Sequence, residues 1–474
     1  MSVRFTPALR HLFLAGALLL SAGARAQVLD AAFPPVHITK QLNGVAWPAY
    51  IAEVVRQPDG KYLVGGDFQT LNGVPTLNLA RLLPNGTVDA SFTAPADGPV
   101  NALVLQPDGQ ILVGGSFQNL GGSPRRGLAR LRADGTVDPG FVPPLSPPAV
   151  VGSLVRQPDG KVLATGRLSV PATGPAEQYI LRFDGASGQY DPSFQFTLPT
   201  ADSYPTRLLL QPDGKVLVGG AVPAYRQAFM LMRLQANGAA DASFAAVTNR
   251  FSGGIQGLAL DGAGRIYAAG LYNGMPGGSA ALRRYQPDGS DDFSFNHAFL
   301  LQNYGANAVA LQPNGRVLVG NATIYRVLAD GTPDASYNSA PGPVGNTSTG
   351  IRRLLVDPDG AILVAGSFSV PGSTGQIGLV RLLDANVLAL KPRAAGPLSA
   401  WPVPASEVLH LRLESGTRAR QVQLLDALGR VVRTYPSPAA PELNLSVSGL
   451  PAGTYQLQAE LADGRRAVQR VLVQ

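Results

Sequence analysis

Residues Asn101 to Phe141 read NALVLQPDGQILVGGSFQNLGGSPRRGLARLRADGTVDPGF. Two runs of alternating apolar residues meet at Pro107-Asp108-Gly109. A Gly-rich segment follows, and a second pair of runs meets at Ala133-Asp134-Gly135. Apolar runs of this length joined by Asp-Gly turns are antiparallel strands in hairpins. The stretch predicts a four-stranded meander.

Nearly the same wording returns about every fifty residues. Its first turn stands at Gln57-Pro58-Asp59-Gly60, Gln106-Pro107-Asp108-Gly109, Gln157-Pro158-Asp159-Gly160 and Gln211-Pro212-Asp213-Gly214. A degenerate copy at Asp261-Gly262-Ala263-Gly264 precedes Gln312-Pro313-Asn314-Gly315 and Asp357-Pro358-Asp359-Gly360. The second half is an Arg-led strand, an Asn/Asp-Gly turn and Asp-x-Ser/Gly-Phe/Tyr. It closes at Phe92, Phe141, Phe194, Phe244, Phe295 and Tyr337. There are thus seven beginnings and six endings.

The missing ending lies at the other end of the domain. After Arg381-Leu382-Leu383 the seventh copy runs on without the motif, whereas Val28-Leu29-Asp30-Ala31-Ala32-Phe33 supplies one. Sheets repeated radially need first and last units joined, or long edges stay unpaired. The sequence therefore predicts an all-β chain: a seven-bladed β-propeller over residues 27–386, its last blade completed by residues 28–33. The displaced motif argues against an open solenoid. The repeat, with its QPDGK-ilvgG-F and R-l-dG-slD-sF halves, resembles the delta-60 repeat of bacterial secreted and surface proteins. That resemblance implies a propeller and no particular chemistry.

Glycine (55) and proline (40) are abundant, but they recur at fixed places in the repeat, which makes them turn chemistry rather than disorder. The chain has no cysteine, which excludes thiol nucleophiles, Cys-based zinc sites and disulfides. The formal charge is +7. Without Arg4, Arg10 and Arg25 of the leader it is about +4, no reason to expect nucleic acid. Arg4 and Arg10 precede the apolar run Leu12 to Leu20, and Ala24-Arg25-Ala26 forms a small-x-small cleavage site. Residues 1–26 read as a Sec-type signal peptide, since the apolar run is too short for a span of about 20 residues.

In a propeller with NALVLQ as inner strand, the short Asp-Gly turns gather on one face. The connections that vary, such as Asp67 to Leu79, Arg167 to Tyr179 and Phe141 to Val151, gather on the other. Varied loops on a rigid scaffold are where binding usually resides. The inner-strand starts carry Glu53, Asn101, Ser153, Thr206, Arg207, Gln256, Asn307, Arg352 and Arg353, which would ring the varied-face mouth of the channel. A wetted entrance without a ligand is one account of this ring. The other is a seat for a polar or anionic glycan or peptide, with Arg207, Arg352 and Arg353 as donors. Tyr179, Tyr204, Tyr225, Tyr272 and Tyr304 could stack on sugars or simply pack.

Catalytic signatures are sparse. Only Glu53 brings a carboxylate to the ring, whereas glycoside hydrolysis usually needs two. His11, His37, His297 and His410 are scattered, and no metal-ligand spacing, nucleophile elbow or phosphate loop is present. Asp288, Asp291 and Asp292 read as blade-turn acids before a calcium site. The reading is of a chain with no cofactor, no metal and no catalytic residues.

Residues 387–397, with Lys391-Pro392 and Gly396-Pro397, read as a linker. Residues 398–474 hold six or seven short alternating runs, which predicts a small Ig-like β-sandwich. This tail resembles the type A sorting domain of the type IX secretion system of the Bacteroidetes. Trp401-Pro402-Val403-Pro404-Ala405 stands for Y-P-N-P-A, Asp426 to Val432 for d-x-x-G-r-v-v, and Leu450 to Tyr455 for L-x-x-G-x-Y. Val403 replaces the usual Asn. The resemblance implies export through the periplasm to the outer surface, with the outer-membrane translocon as partner. Three function classes stay open: a surface binding or adhesion propeller, a hydrolytic or carbohydrate-active enzyme with its site on the varied face, and a structural surface-layer protein.

Overall fold

The computed structural model describes residues 25–173, 178–197, 204–222, 228–249, 253–272, 280–296, 305–338, 350–383, 398–401, 407–413, 419–425, 431–435, 442–451, 453–461 and 466–473. Residues 1–24 of the leader and the whole of the linker lie outside these, as do Tyr225, Tyr304 and residues 402–406 and 426–430 of the tail motifs. Among the described residues no helix is long and apolar enough to cross a membrane. The chain separates into two compact units, Met1–Ala385 and Asn386–Gln474.

In the first unit, three antiparallel strands repeat seven times. The inner strands are Tyr50–Arg56, Val100–Leu105, Val150–Arg156, Tyr204–Leu210, Gly253–Leu260, Ala308–Leu311 and Ile351–Val356. Each pairs with a second strand across the Asp-Gly turn, and the second pairs with a third. Successive inner strands touch, and the seventh touches the first, so the blades form a closed ring. The local cause of each hairpin is visible at Gln57 to Lys61. Gly60 takes φ +87°, the Gly60 amide donates to the Gln57 carbonyl (3.0 Å), and Asp59 Oδ1 accepts the Lys61 amide (3.1 Å). The Asp side chain mimics a backbone turn, and glycine alone adopts that φ without strain.

In the first six blades the expected fourth strand is represented by a single bridge, to which the fourth blade adds the short strand Val247–Asn249. Leu82 pairs with Val88, Leu131 with Val137 and Leu234 with Ala240. The Asp-x-Ser-Phe motif is the reason. Asp89 Oδ1 accepts both the amide (3.0 Å) and the hydroxyl (2.6 Å) of Ser91, which bends the chain out of the sheet at once. Its other oxygen takes Arg81 Nε at 2.8 Å and Lys61 Nζ at 3.2 Å. The same arginine lies 4.7 Å over the Phe92 ring and donates to the carbonyl of Ala133 in the next blade (2.7 Å). Arg182, Arg233 and Arg284 repeat this set with Asp191, Asp241 and Asp292, and with Phe194, Phe244 and Phe295. One residue type therefore joins edge strand, turn and neighbouring blade.

Apolar side chains fill the gaps between blades. Leu63 and Leu79 of the first blade, Phe92 of its ending, and Val100, Leu103 and Val113 of the second share one buried cluster. Each aromatic ring buried in this way is worth roughly 1.5–3 kcal/mol. Glycines admit the neighbour: a Cβ on Gly65 would stand 2.5 Å from Val100 Cγ1, and one on Gly114 would stand 2.6 Å from Val151 Cγ1. Where the next blade offers Pro205 instead of a β-branched residue, the glycine is replaced by Thr165, whose hydroxyl donates to the Pro205 carbonyl (3.2 Å).

Between the seventh and first blades the same roles fall to the N-terminal residues. Val28 and Leu29 pair with Leu383 and Leu382. The Asp30 amide donates to the Arg381 carbonyl (2.9 Å), and its carboxylate is salt-bridged to Arg381. Phe33 is buried with Ile51 and Tyr62 of the first blade and Leu363 and Leu379 of the seventh. Tyr62 donates to Asp357 (2.5 Å). Burial and that bond push its phenol up to about 12.

The second unit has a three-stranded sheet (Leu398–Trp401, Val408–Leu413, Glu442–Ser446) and a four-stranded one (Val431–Tyr435, Ala419–Leu425, Gly453–Leu461, Arg466–Val473). Leu409, Leu411 and Leu445 of the first share one core with Val422, Leu424, Leu457 and Val471 of the second. The Tyr455 hydroxyl closes the Leu450-Pro451 corner by donating to the Pro451 carbonyl (2.7 Å).

Candidate ligand-binding site at the channel mouth

Each inner strand enters the ring from the varied-loop face, and six of them are irregular at the same place. In the first blade Ile51 pairs with Gly66 and Glu53 with Gly65, leaving Ala52 as the extra residue of a β-bulge. The extra residue is Asn101, Gly152, Thr206, Gln256 and Arg352 in the other five. A bulge bends its strand and re-aims side chains. It also carries the preceding carbonyl into the partner strand. A Cβ at Gly66 would lie 2.1 Å from the Tyr50 oxygen, and at Gly115, Gly270 and Gly366 it would lie 2.1, 2.1 and 2.3 Å from the equivalent oxygens. The sixth blade pairs without a register shift, and there Asn321 follows Gly320 in place of a second glycine. The glycine paired with the residue before the bulge, Gly66, Gly115, Gly166, Gly220, Gly270 and Gly366 in the six blades, is thus the sequence signal of the bulge, although the alternation of apolar residues does not reveal it.

The bulge decides what each mouth residue does. Several of the expected ligand groups bind neighbouring blades. Asn101 Nδ2 donates to the Val151 carbonyl (3.0 Å) and Thr206 Oγ1 to that of Ile255 (2.7 Å). Ser153 Oγ accepts the Leu208 amide (3.2 Å), and Arg207 Nε donates to the Gln256 carbonyl (2.6 Å). The Gln256 and Asn307 side chains are half-buried at the same level.

Charge enters from the first, fourth and seventh blades. Glu53 is 7% exposed, and its Oε1 accepts Arg353 Nε at 2.7 Å and the Val54 amide at 3.2 Å. The Arg353 side chain is itself 42% exposed. Arg352 Cζ lies over the Tyr50 ring, 3.9 Å from its centroid. Arg207 feels these groups: burial, then the Arg353 charge, pull its pKa below the ordinary guanidinium value, with Glu53 opposing and Arg352 adding to the fall. Three guanidiniums and one carboxylate therefore share one electrostatic environment.

Of the tyrosines, Tyr204 is 45% exposed and meets Tyr179 edge-on, with ring centroids 5.7 Å apart. Tyr272 is no stacking platform: it is fully buried, its hydroxyl donating to the Ala268 carbonyl (3.2 Å) under Arg283. The three acids of the fifth blade are each engaged. Asp288 takes the Ser290 hydroxyl (2.6 Å), Asp291 faces Arg283 (3.5 Å) and Asp292 takes Arg284 Nε (2.6 Å).

The opposite face is less uniform than its turns suggest. A cleft of about 420 Å³ opens between the second and third blades, lined by Asp108, Asp159, Asp184, Arg130 and Arg156. It lies beside the third blade's lengthened turn, where Gly185 comes so close to the Gly160 carbonyl that a Cβ would stand 1.8 Å away. Arg130 is held there by Asp138 (2.8 Å) and by the Ala186 carbonyl (2.7 Å). The cleft lining carries charges of both signs, with Arg156 Nε buried and without a hydrogen-bond partner.

Comparison with known families agrees with this architecture. The domain of unknown function (DUF5122) beta-propeller matches residues 57–92, 106–141, 211–244 and 358–383, and the secretion system C-terminal sorting domain matches residues 399–474. No curated protein matches the chain. Among solved structures, the extracellular domain of a proposed hybrid two component system of B. thetaiotaomicron is 11% identical with a TM-score of 0.45. That alignment covers 93% of this chain and 57% of the other, so the chain spans little more than half of that structure's length. The WD40 domain of Neurospora crassa Pan2 is 11% identical, with a TM-score of 0.42, over 70% of this chain and 88% of the other. A Dyadobacter fermentans protein of unknown function is 12% identical, with a TM-score of 0.39, over 73% and 97%. The chain is a secreted β-propeller of DUF5122 repeats carrying a type IX secretion system C-terminal sorting domain.

Proposed function

We propose that this protein is a non-catalytic binding or adhesion propeller of the outer cell surface or extracellular space, and that its ligand sits at the varied-loop mouth. The observation that supports this most is the meeting of Arg207, Arg352 and Arg353 with the single carboxylate of Glu53. Groups from three blades reach one place, so a small region can read one ligand, and its net positive charge favours anionic or hydroxyl-rich chemistry. In this reading residues 1–26 direct export to the periplasm and the tail is handled by the outer-membrane translocon.

The test is a glycan and peptide array probed with the mature chain and with an E53Q/R352A/R353A variant. Glu53 is changed as well because removing Arg353 alone would strand a buried carboxylate. Binding should fall about tenfold or more, since charged hydrogen bonds are worth roughly 1.5–3 kcal/mol each. Melting should move little. Binding that survives this change and disappears when the Asp184–Gln189 turn is altered would place the ligand on the opposite face. A second reading, a structural surface-layer component, draws on Asn101, Ser153, Thr206 and Arg207 Nε serving blade-to-blade bonds. It expects no ligand on the array.

A further inference from the structure

Arg56 and Arg156 hold the same repeat position, the last residue before the Gln-Pro-Asp-Gly turn. Arg56 meets the preceding blade at Asp357, with Nε 3.5 Å from Oδ1. Arg156 lines the cleft between the second and third blades together with Gln106, the counterpart of Asp357. The guanidinium has kept its place and lost its anion. Among the described residues the Arg156 side chain makes no hydrogen bond and no ion pair, and its Nε is buried. Gln106 is 6% exposed and brings a second unmet group, since its Oε1 is buried without a partner. The same oxygen is unmet at Gln57, Gln157, Gln211 and Gln312, but at Gln106 a cleft of about 420 Å³ opens on the residue.

Three carboxylates line the same cleft, and each spends one oxygen on its own turn. Asp108 Oδ1 accepts the Gln110 amide (3.0 Å), Asp159 Oδ1 the Lys161 amide (3.0 Å) and Asp184 Oδ1 the Ser187 hydroxyl (2.7 Å). Their Oδ2 atoms make no hydrogen bond among the described residues. No three such groups among those residues are placed to hold one metal ion, so these oxygens serve separate donors. Arg130, the other cation of the lining, is taken by Asp138 (2.8 Å). The uncommitted charge is therefore one guanidinium against three carboxylates. We propose that this cleft is a second binding site, apart from the mouth, and that it takes a free basic amino acid, lysine or arginine. The α-carboxylate pairs with Arg156 while the α-ammonium and the side-chain cation meet the spare aspartate oxygens. A dicarboxylate is repelled by the three acids, and a plain diamine leaves Arg156 unmet. The volume lies at the low end of the roughly 300–1,000 Å³ of small-molecule pockets, which suits a ligand of this size.

The experiment is calorimetric titration of the full mature chain with lysine and arginine, with norleucine, which lacks the side-chain cation, and with cadaverine, which lacks the carboxylate. Lysine or arginine should bind. Each control should bind about tenfold or more weakly, the magnitude expected for loss of a charge-assisted hydrogen bond. R156Q should weaken binding by a similar factor without lowering the melting temperature, because no buried anion is stranded by the change. Q106E sets an anion where Asp357 stands beside Arg56. It should compete with the ligand carboxylate for Arg156 and also weaken binding. Absence of lysine and arginine binding overturns the inference, as does equal binding of either control, or binding by R156Q or Q106E as tight as the parent's. Lysine binding that is lost in E53Q/R352A/R353A and kept in R156Q would move the amino acid to the mouth and overturn it too.

Discussion

Gly66 and Gly73 lie seven residues apart and carry opposite kinds of constraint. A Cβ at Gly66 would meet the Tyr50 carbonyl at 2.1 Å, and that oxygen belongs to the bulged backbone, which cannot swing away. At Gly73 nothing lies within 4 Å, but φ is +77°. Gly73→Ala should therefore cost about 1–2 kcal/mol, the strain of a left-handed residue. Gly66→Ala should cost more, by at least the roughly 1–3 kcal/mol of overpacking, and should also disturb the mouth. Denaturant titration of both variants checks the ranking, and equal losses would contradict the bulge account. Acid sensitivity is set at the same scale. The hydroxyl of Ser91 is the largest influence holding the Asp89 carboxyl below its ordinary value, with its amide, Arg81 and Lys61 assisting against burial. At Asp241 burial pushes the carboxyl up, but Lys215, Ser243 and Arg233 outweigh it and the net shift is also downward. A carboxyl depressed in the fold stabilises fully above its unfolded value near 4 and loses that contribution as pH falls through the folded value. Melting temperature should thus hold from pH 7 to about 5 and drop steadily below about 4. Asp241→Asn, which leaves Arg233 and Lys215 without their anion, should cost about 3–5 kcal/mol at neutral pH and flatten part of that acid limb.

The blade is the element that the sequence exposes most clearly, because Asp-Gly turns and alternating apolar residues are written locally seven times. What stays hidden is what depends on partners distant in sequence. The fourth strand looked full because Val88 and Phe92 continue the alternation, yet Asp89 turns the chain outward as soon as Ser91 supplies two donors. The bulges were invisible for the same reason, since only one glycine of the second strand, Gly66 in the first blade and Gly366 in the seventh, records them. Asn43-Gly44 and Asn72-Gly73 each close an additional hairpin in positive φ, a local signal that the repeat pattern overshadowed. The mouth residues stand at the starts of the inner strands, and their hydrogen bonds to Val151, Ile255 and Gln256 follow from the ring and not from any one repeat. Closure follows the same logic. Arg381 binds Asp30, Asp357 and Asp359, where the other blades' arginines bind an acid that follows them in their own repeat. We propose that residues 28–33 are required to hold the ring shut. Deleting them removes Phe33 from the seam and strands the Leu382–Leu383 edge, so the propeller should melt at least several degrees lower and exchange amides first in the first and seventh blades. Arg381→Ala should reproduce part of the loss. Unchanged cooperative melting after the deletion would count against the strap.

At the scale of the molecule, each unit has hydrophobic cores of its own among the described residues. The buried cluster of the second unit draws only on residues from Leu409 to Val473, and each interblade cluster draws only on propeller residues and its N-terminal strand. Removing the tail therefore takes no side chain out of a propeller core. A chain ending near Asn386 should melt within about 2 °C of the full-length propeller transition, because no buried apolar area between blades is exposed by the cut. The match of residues 399–474 to a secretion system C-terminal sorting domain gives the tail a different job, namely secretion. The same truncated chain, expressed in a host with this secretion route, should stay in the periplasm in folded form while the full chain reaches the medium or surface. Immunoblots of periplasmic, surface and medium fractions, paired with protease resistance of the retained chain, separate the outcomes. Retention with resistance supports independent folding and a sorting role, whereas retention with degradation would assign the tail to stability. Efficient appearance of the truncated chain outside the cell would remove the sorting role altogether.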